Sequence, residues 1–165
     1  MIFNDTGHLV GRYTVQGYDE NWNPAEFECN GQMVSTYRGK NVLTQLLFTG
    51  FFKFLNAVTD TPAYDDLNIT HLAVGTGTTA PAKTDTTLEN EYFRKAVSSK
   101  SYTDDIFTAK MLMGTTEGNT TITEIGVFAD ATDTTDSGTL LSHIAVNITK
   151  TDSISLLLTW TLTLE

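Results

Sequence analysis

Three histidines, one cysteine and a few grouped carboxylates are the side chains in this 165-residue chain whose types could support chemistry. His8, His71, His143 and Cys29 show neither the CxxC nor the HxxxH spacing that a zinc site uses. No GxSxG elbow is present, and the three histidines sit at unrelated positions, with His71 and His143 expected in strands as structural imidazoles. The turn Gly75-Thr76-Gly77 invites a phosphate-loop reading, but GTGTTAPAK has neither the Walker spacing nor a lysine followed by Ser or Thr, and GxGxxG is not completed. A glycine-permitted tight turn leaving a strand is expected instead. Asp130, Asp133 and Asp136 stand three apart, whereas calcium loops alternate their ligands and close with a distal bidentate carboxylate. They are expected to form a solvated acidic tip, with Asp65-Asp66 and Asp104-Asp105 as turn residues and Cys29 as a packed or half-exposed strand residue. The expectation is no catalytic residue, no cofactor and no metal.

Glu124 is the most unusual charge, because by strand period it shares a face with Ile122 and Phe128. On a buried face it needs a cation, since an unpaired buried charge costs several kcal/mol. Arg94, in Tyr92-Phe93-Arg94, is the candidate partner for a structural ion pair. The alternative is Glu124 on the wet face of an edge strand.

The elements that must position these residues are mostly strands. Runs at 69–74, 92–98, 106–113, 121–128, 140–148 and 154–164 are separated by Gly, Thr and Asp turns, with 99–105 expected as a connecting turn and Leu88 to Glu91 as one helical turn. In the last run Ile154, Leu156, Leu158, Trp160, Leu162 and Leu164 occupy one face against Ser155, Thr159, Thr161 and Thr163, a period-two pattern that predicts a half-buried strand placing the chain end in the core. HLVGRYTVQ (8–16) and AEFECNGQMVSTY (25–37) read as an antiparallel pair around the turn-rich residues 17–24, and Asn30-Gly31 is a second tight-turn signal. From Asn41 the period changes: Leu43, Leu46, Leu47, Phe51, Phe54, Leu55 and Val58 recur at three-and-four spacing, which predicts one amphipathic helix over 41–58 packed on a face or end of the sheets. The candidate core comprises Leu43, Leu47, Phe51, Phe54, Ile125, Val127, Ile144, Val146, Leu156, Leu158, Trp160 and Leu162.

Composition agrees with a mainly β fold. Thirty residues are Thr, against ten Lys plus Arg, and threonine's β-branched side chain fits a pleated surface while its hydroxyl faces water. The expected architecture is a two-sheet antiparallel β-sandwich with the N-terminal helix packed on it, as one domain over 1–165: an N-terminal hairpin (1–40), the helix (41–58) and the main strands (69–165). A chain of this length buries roughly 70% of its unfolded surface, so it needs no disulfide. The formal charge of −10 repels phosphate and anionic lipid, which argues against nucleic-acid and membrane partners. The N-terminus has no basic segment followed by a long apolar one, so no secretory signal is expected.

Taken in order, GTGTTAPAKTDTTLENEYFRK (75–95), EGNTTITEIGVF (117–128), SGTLLSHIAVNITKT (137–151) and LLLTWTLTL (156–164), with RGKNVLTQLLFTGFFKFLNAV (38–58), resemble the small tail-fibre-type structural proteins of tailed bacteriophages. The likeness covers most of residues 10–165 and rests on order and spacing. It implies a non-catalytic virion component of the tail, baseplate or collar, made in the bacterial host cytoplasm. It also implies self-association, as a trimer or ring, and contact with other tail, baseplate or neck proteins. The lack of a shaft or tip beyond Glu165 favours attaching fibres or decorating the tail over direct host recognition. A receptor- or carbohydrate-binding adhesin module, using the loops 75–87 and 130–138, is the alternative; neither loop holds the aromatic ring that stacks on a sugar.

Overall fold

Alternation of apolar and polar residues sets which strands pair and which faces meet. The computed structural model describes residues 9–45, 47, 68–104 and 106–164. Its strands are β1 (Leu9–Tyr18), β2 (Phe27–Cys29), β3 (Gln32–Val34), β4 (Thr36–Lys40), β5 (Val42–Leu43), β6 (Ile69–Gly75), β7 (Glu91–Ala96), β8 (Ser99–Thr103), β9 (Ile106–Met113), β10 (Thr121–Ala129), β11 (Thr139–Thr149) and β12 (Ser155–Leu164). Sheet A has the order β4-β1-β12-β9-β8, and sheet B the order β3-β2-β11-β10-β6-β7, with β5 also pairing on β11. Every described pairing is antiparallel.

The main core lies between the sheets. Leu156, Leu158 and Trp160 of β12 meet Ile125 and Val127 of β10 and Ile144, Val146 and Ile148 of β11, all buried; Leu47 is buried with them, and Leu43 and Leu162 are partly buried against the same cluster. A polar cluster ties the layers together at this level. Tyr13 of sheet A donates its hydroxyl to the Ser142 carbonyl of sheet B at 3.1 Å. With the Asn41 amide nitrogen donating to the Gly11 carbonyl at 2.6 Å, its oxygen accepts the Trp160 indole N–H at 2.7 Å and the Ser142 hydroxyl at 2.5 Å. Satisfied in this way, buried polar groups fix how the two sheets sit on each other. Burial pushes the Tyr13 phenol well above its ordinary range.

Several sequence expectations change. Residues 8–16 and 25–37 do not form one pair: β1 lies between β12 and β4, whereas β2 and β3 belong to sheet B, and the ladder with β1 runs from Thr36, with Gly17 also bonded to Ala25 and Ser35 and Tyr18 bridged to Pro24 at the turn. Asn30 (φ 53°) and Gly31 (φ 76°) make the two-residue turn that folds β3 onto β2, because such a turn needs positive φ at both positions. The helix expected from Asn41 is not seen there. Val42 and Leu43 pair as a strand with His143 and Ser142, and Gln45 and Leu47 are the residues with described helical conformation. Thr44, whose hydroxyl accepts the Leu47 N–H at 3.4 Å, marks that change of conformation. The rest of the expected helix, residue 46 and residues 48–58 with Phe51 and Phe54, lies outside the described residues. Residues 99–103 form β8 where a turn was expected, and Leu88 to Asn90 bend without a helical turn.

The two sheets differ in what their outer faces carry. On sheet A the outward positions form rows set by the register. Arg38, Thr14, Thr159, Lys110 and Ser99 make one row, and Lys40, Arg12, Thr161, Thr108 and Ser101 the next. On sheet B the outer face is overlaid by loops 76–90 and 130–138, with Leu88 and Ala131 packing on Ala73, Phe128 and Leu140 in a second, smaller core.

Candidate functional site

The loop-covered face of sheet B concentrates the buried polar side chains. It starts from an irregularity in strand register. Between Ile122 and Glu124 the pairing with β11 shifts, which sends Ile122 into the main core and leaves Glu124 outward with Phe128. Glu124 is only 5% exposed. Its Oε1 accepts the N–H groups of Gly77 at 3.0 Å and Asn90 at 2.9 Å, and its Oε2 the N–H of Glu89 at 3.0 Å. One carboxylate thus gathers both ends of loop 76–90.

The rest of the loop repeats this device. Glu89 accepts the N–H groups of Thr78 at 2.5 Å and Thr79 at 2.7 Å and the Thr79 hydroxyl at 2.7 Å. The Thr79 N–H is the main cause holding its carboxyl below the usual glutamate value. Asp85 accepts the Ala82 N–H at 2.8 Å and lies 3.1 Å from Nε2 of the buried His143. Gly126 leaves the space that Leu88 fills, since a Cβ there would come within 2.9 Å of Leu88 Cδ2. An open cleft of about 310 Å³ remains, lined by Thr79, Thr84, Asp85, Thr86, Thr87, Leu88, Glu89, Glu124 and His143.

The expected Arg94–Glu124 ion pair is replaced by two separate arrangements. Arg94 is buried, and its guanidinium forks onto Glu91, Nε to Oε1 at 2.5 Å and Nη2 to Oε2 at 2.6 Å. Its Nη1 donates to the Thr132 and Ser137 carbonyls, both at 3.0 Å, and to Ser137 Oγ at 2.8 Å. The plane lies over Phe128, 4.8 Å from the ring centroid. Arg94 therefore organises loop 130–138 while backbone N–H groups, not a cation, neutralise Glu124. Sequence reasoning missed Glu91 because its wet-looking neighbours Asn90 and Tyr92 hide a side chain that is 1% exposed.

The other candidates are placed as follows. His71 Nε2 stands 3.2 Å from Asp133, a second fastening of loop 130–138, and its Nδ1 is buried without a hydrogen-bond partner among the described residues. Asp130 and Asp136 adopt left-handed backbone conformations, φ 52° and 59°. Cys29 is buried in β2, and burial raises its thiol pKa. Gly75 and Gly77 are needed for space and not for a left-handed turn: a Cβ on either would lie within 2.6 Å of Glu124 Oε1. The phosphate-loop likeness of GTGTT thus has a physical source. Backbone N–H groups do converge on an anion, and that anion is the chain's own Glu124.

Among the described residues no group of three or more His, Cys, Asp and Glu is placed to hold a metal ion, and no helix is long and apolar enough to cross a membrane. The family model described as phage tail-collar fibre protein, N-terminal, matches residues 45–142. The chain belongs to this phage tail-collar fibre family. The match runs through β6 to β10 and both loops, so it takes in Glu124, its three N–H donors, Arg94 and Glu91. Membership gives the chain a structural role in the phage tail fibre and a place in the virion tail, among other tail proteins. Comparison with curated proteins and with solved structures gives no match.

Proposed function

We propose that this tail-collar fibre family member is a non-catalytic virion part, acting as one unit over 1–165 in the tail fibre, baseplate or collar. It self-associates as a trimer or ring, and attaches fibres or decorates the tail against neighbouring tail, baseplate or neck proteins. The observation that carries this reading is how the polar side chains are used. Glu124, Glu89, Arg94 and Asp85 each hold loop backbone in place, which is what a rigid docking surface requires and what a reaction centre, needing groups directed at a substrate, does not. The negative charge of the chain keeps phosphate and anionic lipid away, so neither nucleic acid nor membrane is a partner in this reading.

The adhesin reading ranks second. Loops 75–87 and 130–138 present no aromatic ring, although an exposed indole, Trp22 (60% exposed), stands in the β1–β2 loop. Mass spectrometry and immunogold labelling of purified virions test the leading reading: the protein is expected in particles, at the tail, in stoichiometric copies. Abundance in infected cells with absence from particles overturns it.

A further inference from the structure

We propose that the outer face of sheet A is the seat for a second copy of this chain, which inserts its acidic β1–β2 loop there. The inference rests on the self-associating reading above and names the surfaces involved. Twice as many acids as bases make up this chain, 20 against 10, yet the outward positions of β4, β1, β12, β9 and β8 include Arg38, Lys40, Arg12 and Lys110 and no Asp or Glu. The register sets Arg38 and Lys110 in one row across Thr14 and Thr159, and Lys40 beside Arg12 in the next. Among the described residues no loop overlies this face, unlike that of sheet B. Along these two rows the surface is hydroxyl-rich and basic, and its complement is acidic.

The chain carries that complement. Residues 19–28 hold Asp19, Glu20, Glu26 and Glu28 and no Lys or Arg, with Glu20, Glu26 and Glu28 exposed. Trp22 stands among them, 60% exposed with φ 63°. A bulky residue in the left-handed region costs backbone energy, and most of this indole stays in water where it adds little to folding, so both point to a contact beyond the chain. The loop is preset for it. Asp19 accepts the N–H groups of Asn21 at 2.8 Å and Asn23 at 2.9 Å, and the Trp22 ring leans on Tyr18 with centroids 6.0 Å apart. Little ordering entropy is then lost on docking. The exposed Arg38 guanidinium and Lys40 ammonium, with Lys110 half-buried beside them, suit both the carboxylates and the indole π-face.

Two copies each at −10 repel at long range, but screening confines that to about 8 Å at physiological ionic strength, and opposite charges meet at the contact. Because loop and face are different patches, the contact is head-to-tail, which closes into a ring or continues as a fibre.

Light scattering after size exclusion, with emission spectroscopy, tests this. Trp160 is fully buried, so a blue shift on association reports Trp22. The wild-type chain is expected to be oligomeric and to weaken with salt. Arg38→Glu/Lys110→Glu and Glu26→Lys/Glu28→Lys are each expected to weaken association at least about tenfold, while an equimolar mixture of the two variants, or the quadruple variant, re-forms the oligomer. Trp22→Gly, which relieves the backbone, is expected to keep or raise stability while association falls. Oligomers untouched by either charge reversal, or a quadruple variant that stays monomeric, overturn the proposal while leaving self-association intact. A wild-type monomer that still enters particles overturns it and leaves the virion role standing. Binding of a DNA duplex that depends on Arg38 and Lys110 overturns it in favour of a nucleic-acid face.

Discussion

Glu124 and Gly77 approach so closely that no larger residue fits: the Gly77 N–H donates to Glu124 Oε1 at 3.0 Å, and a Cβ on Gly77 would lie 2.6 Å from that oxygen and 2.5 Å from Glu89 Cβ. Gly77→Ala is therefore expected to destabilise the protein by about 1–3 kcal/mol and to open loop 76–90 to protease. Gly114→Ala is the matched control, since its Cβ would meet only Glu117 Oε2 at 3.7 Å, and urea denaturation should leave it close to wild type.

Replacing Glu124 by Ala leaves three N–H donors around a buried gap. Each unsatisfied donor costs about 1–3 kcal/mol where water cannot reach it, so a loss of several kcal/mol is expected in chemical denaturation. Glu124→Gln keeps an acceptor for two of the donors and sets its own NH₂ against the third. An intermediate loss is expected, with hydrogen exchange accelerated first at Gly77, Glu89 and Asn90.

For Arg94 the informative comparison is between single and double variants. Arg94→Met strands the Glu91 carboxylate, 1% exposed, and an uncompensated buried charge costs about 3–5 kcal/mol. Arg94→Met/Glu91→Leu removes both charges and is expected to be more stable than the single variant. Arg94→Lys keeps the charge but not the fork onto Glu91 or the reach to Thr132 and Ser137, and faster proteolysis within 130–138 is the expected sign.

Loop 76–90 should also loosen with acid. The Thr79 N–H, followed by its hydroxyl and the Thr78 N–H, holds the Glu89 carboxyl below its ordinary value of 4.5. A depressed acid contributes stability that is complete above its unfolded pKa and is lost as pH falls through the folded one. Protection of the Thr78 and Thr79 amides is thus expected to be flat from neutral pH to about pH 5 and to fall below about pH 4, and Glu89→Gln should remove that step. An unchanged profile in the variant would assign the step to another carboxylate.

Much of the β fold was legible because period two survives wherever one face is buried, as in Leu156, Leu158 and Trp160. The sequence alone determined a threonine-rich antiparallel scaffold, the family likeness and the absence of metal-type spacing. It could not determine partners. Residues 99–103 look like a turn because β8, exposed along its whole length, shows no alternation, and Val42-Leu43 fits a helical pattern as well as the two-residue strand it forms. Only tertiary structure decided that Arg94 answers Glu91 while Glu124 answers Gly77, Glu89 and Asn90. The physical reason is that a carboxylate's partner depends on which donors lie within 3 Å across strands and loops, 34 to 47 residues apart for Glu124, and backbone N–H groups have no letter in the sequence.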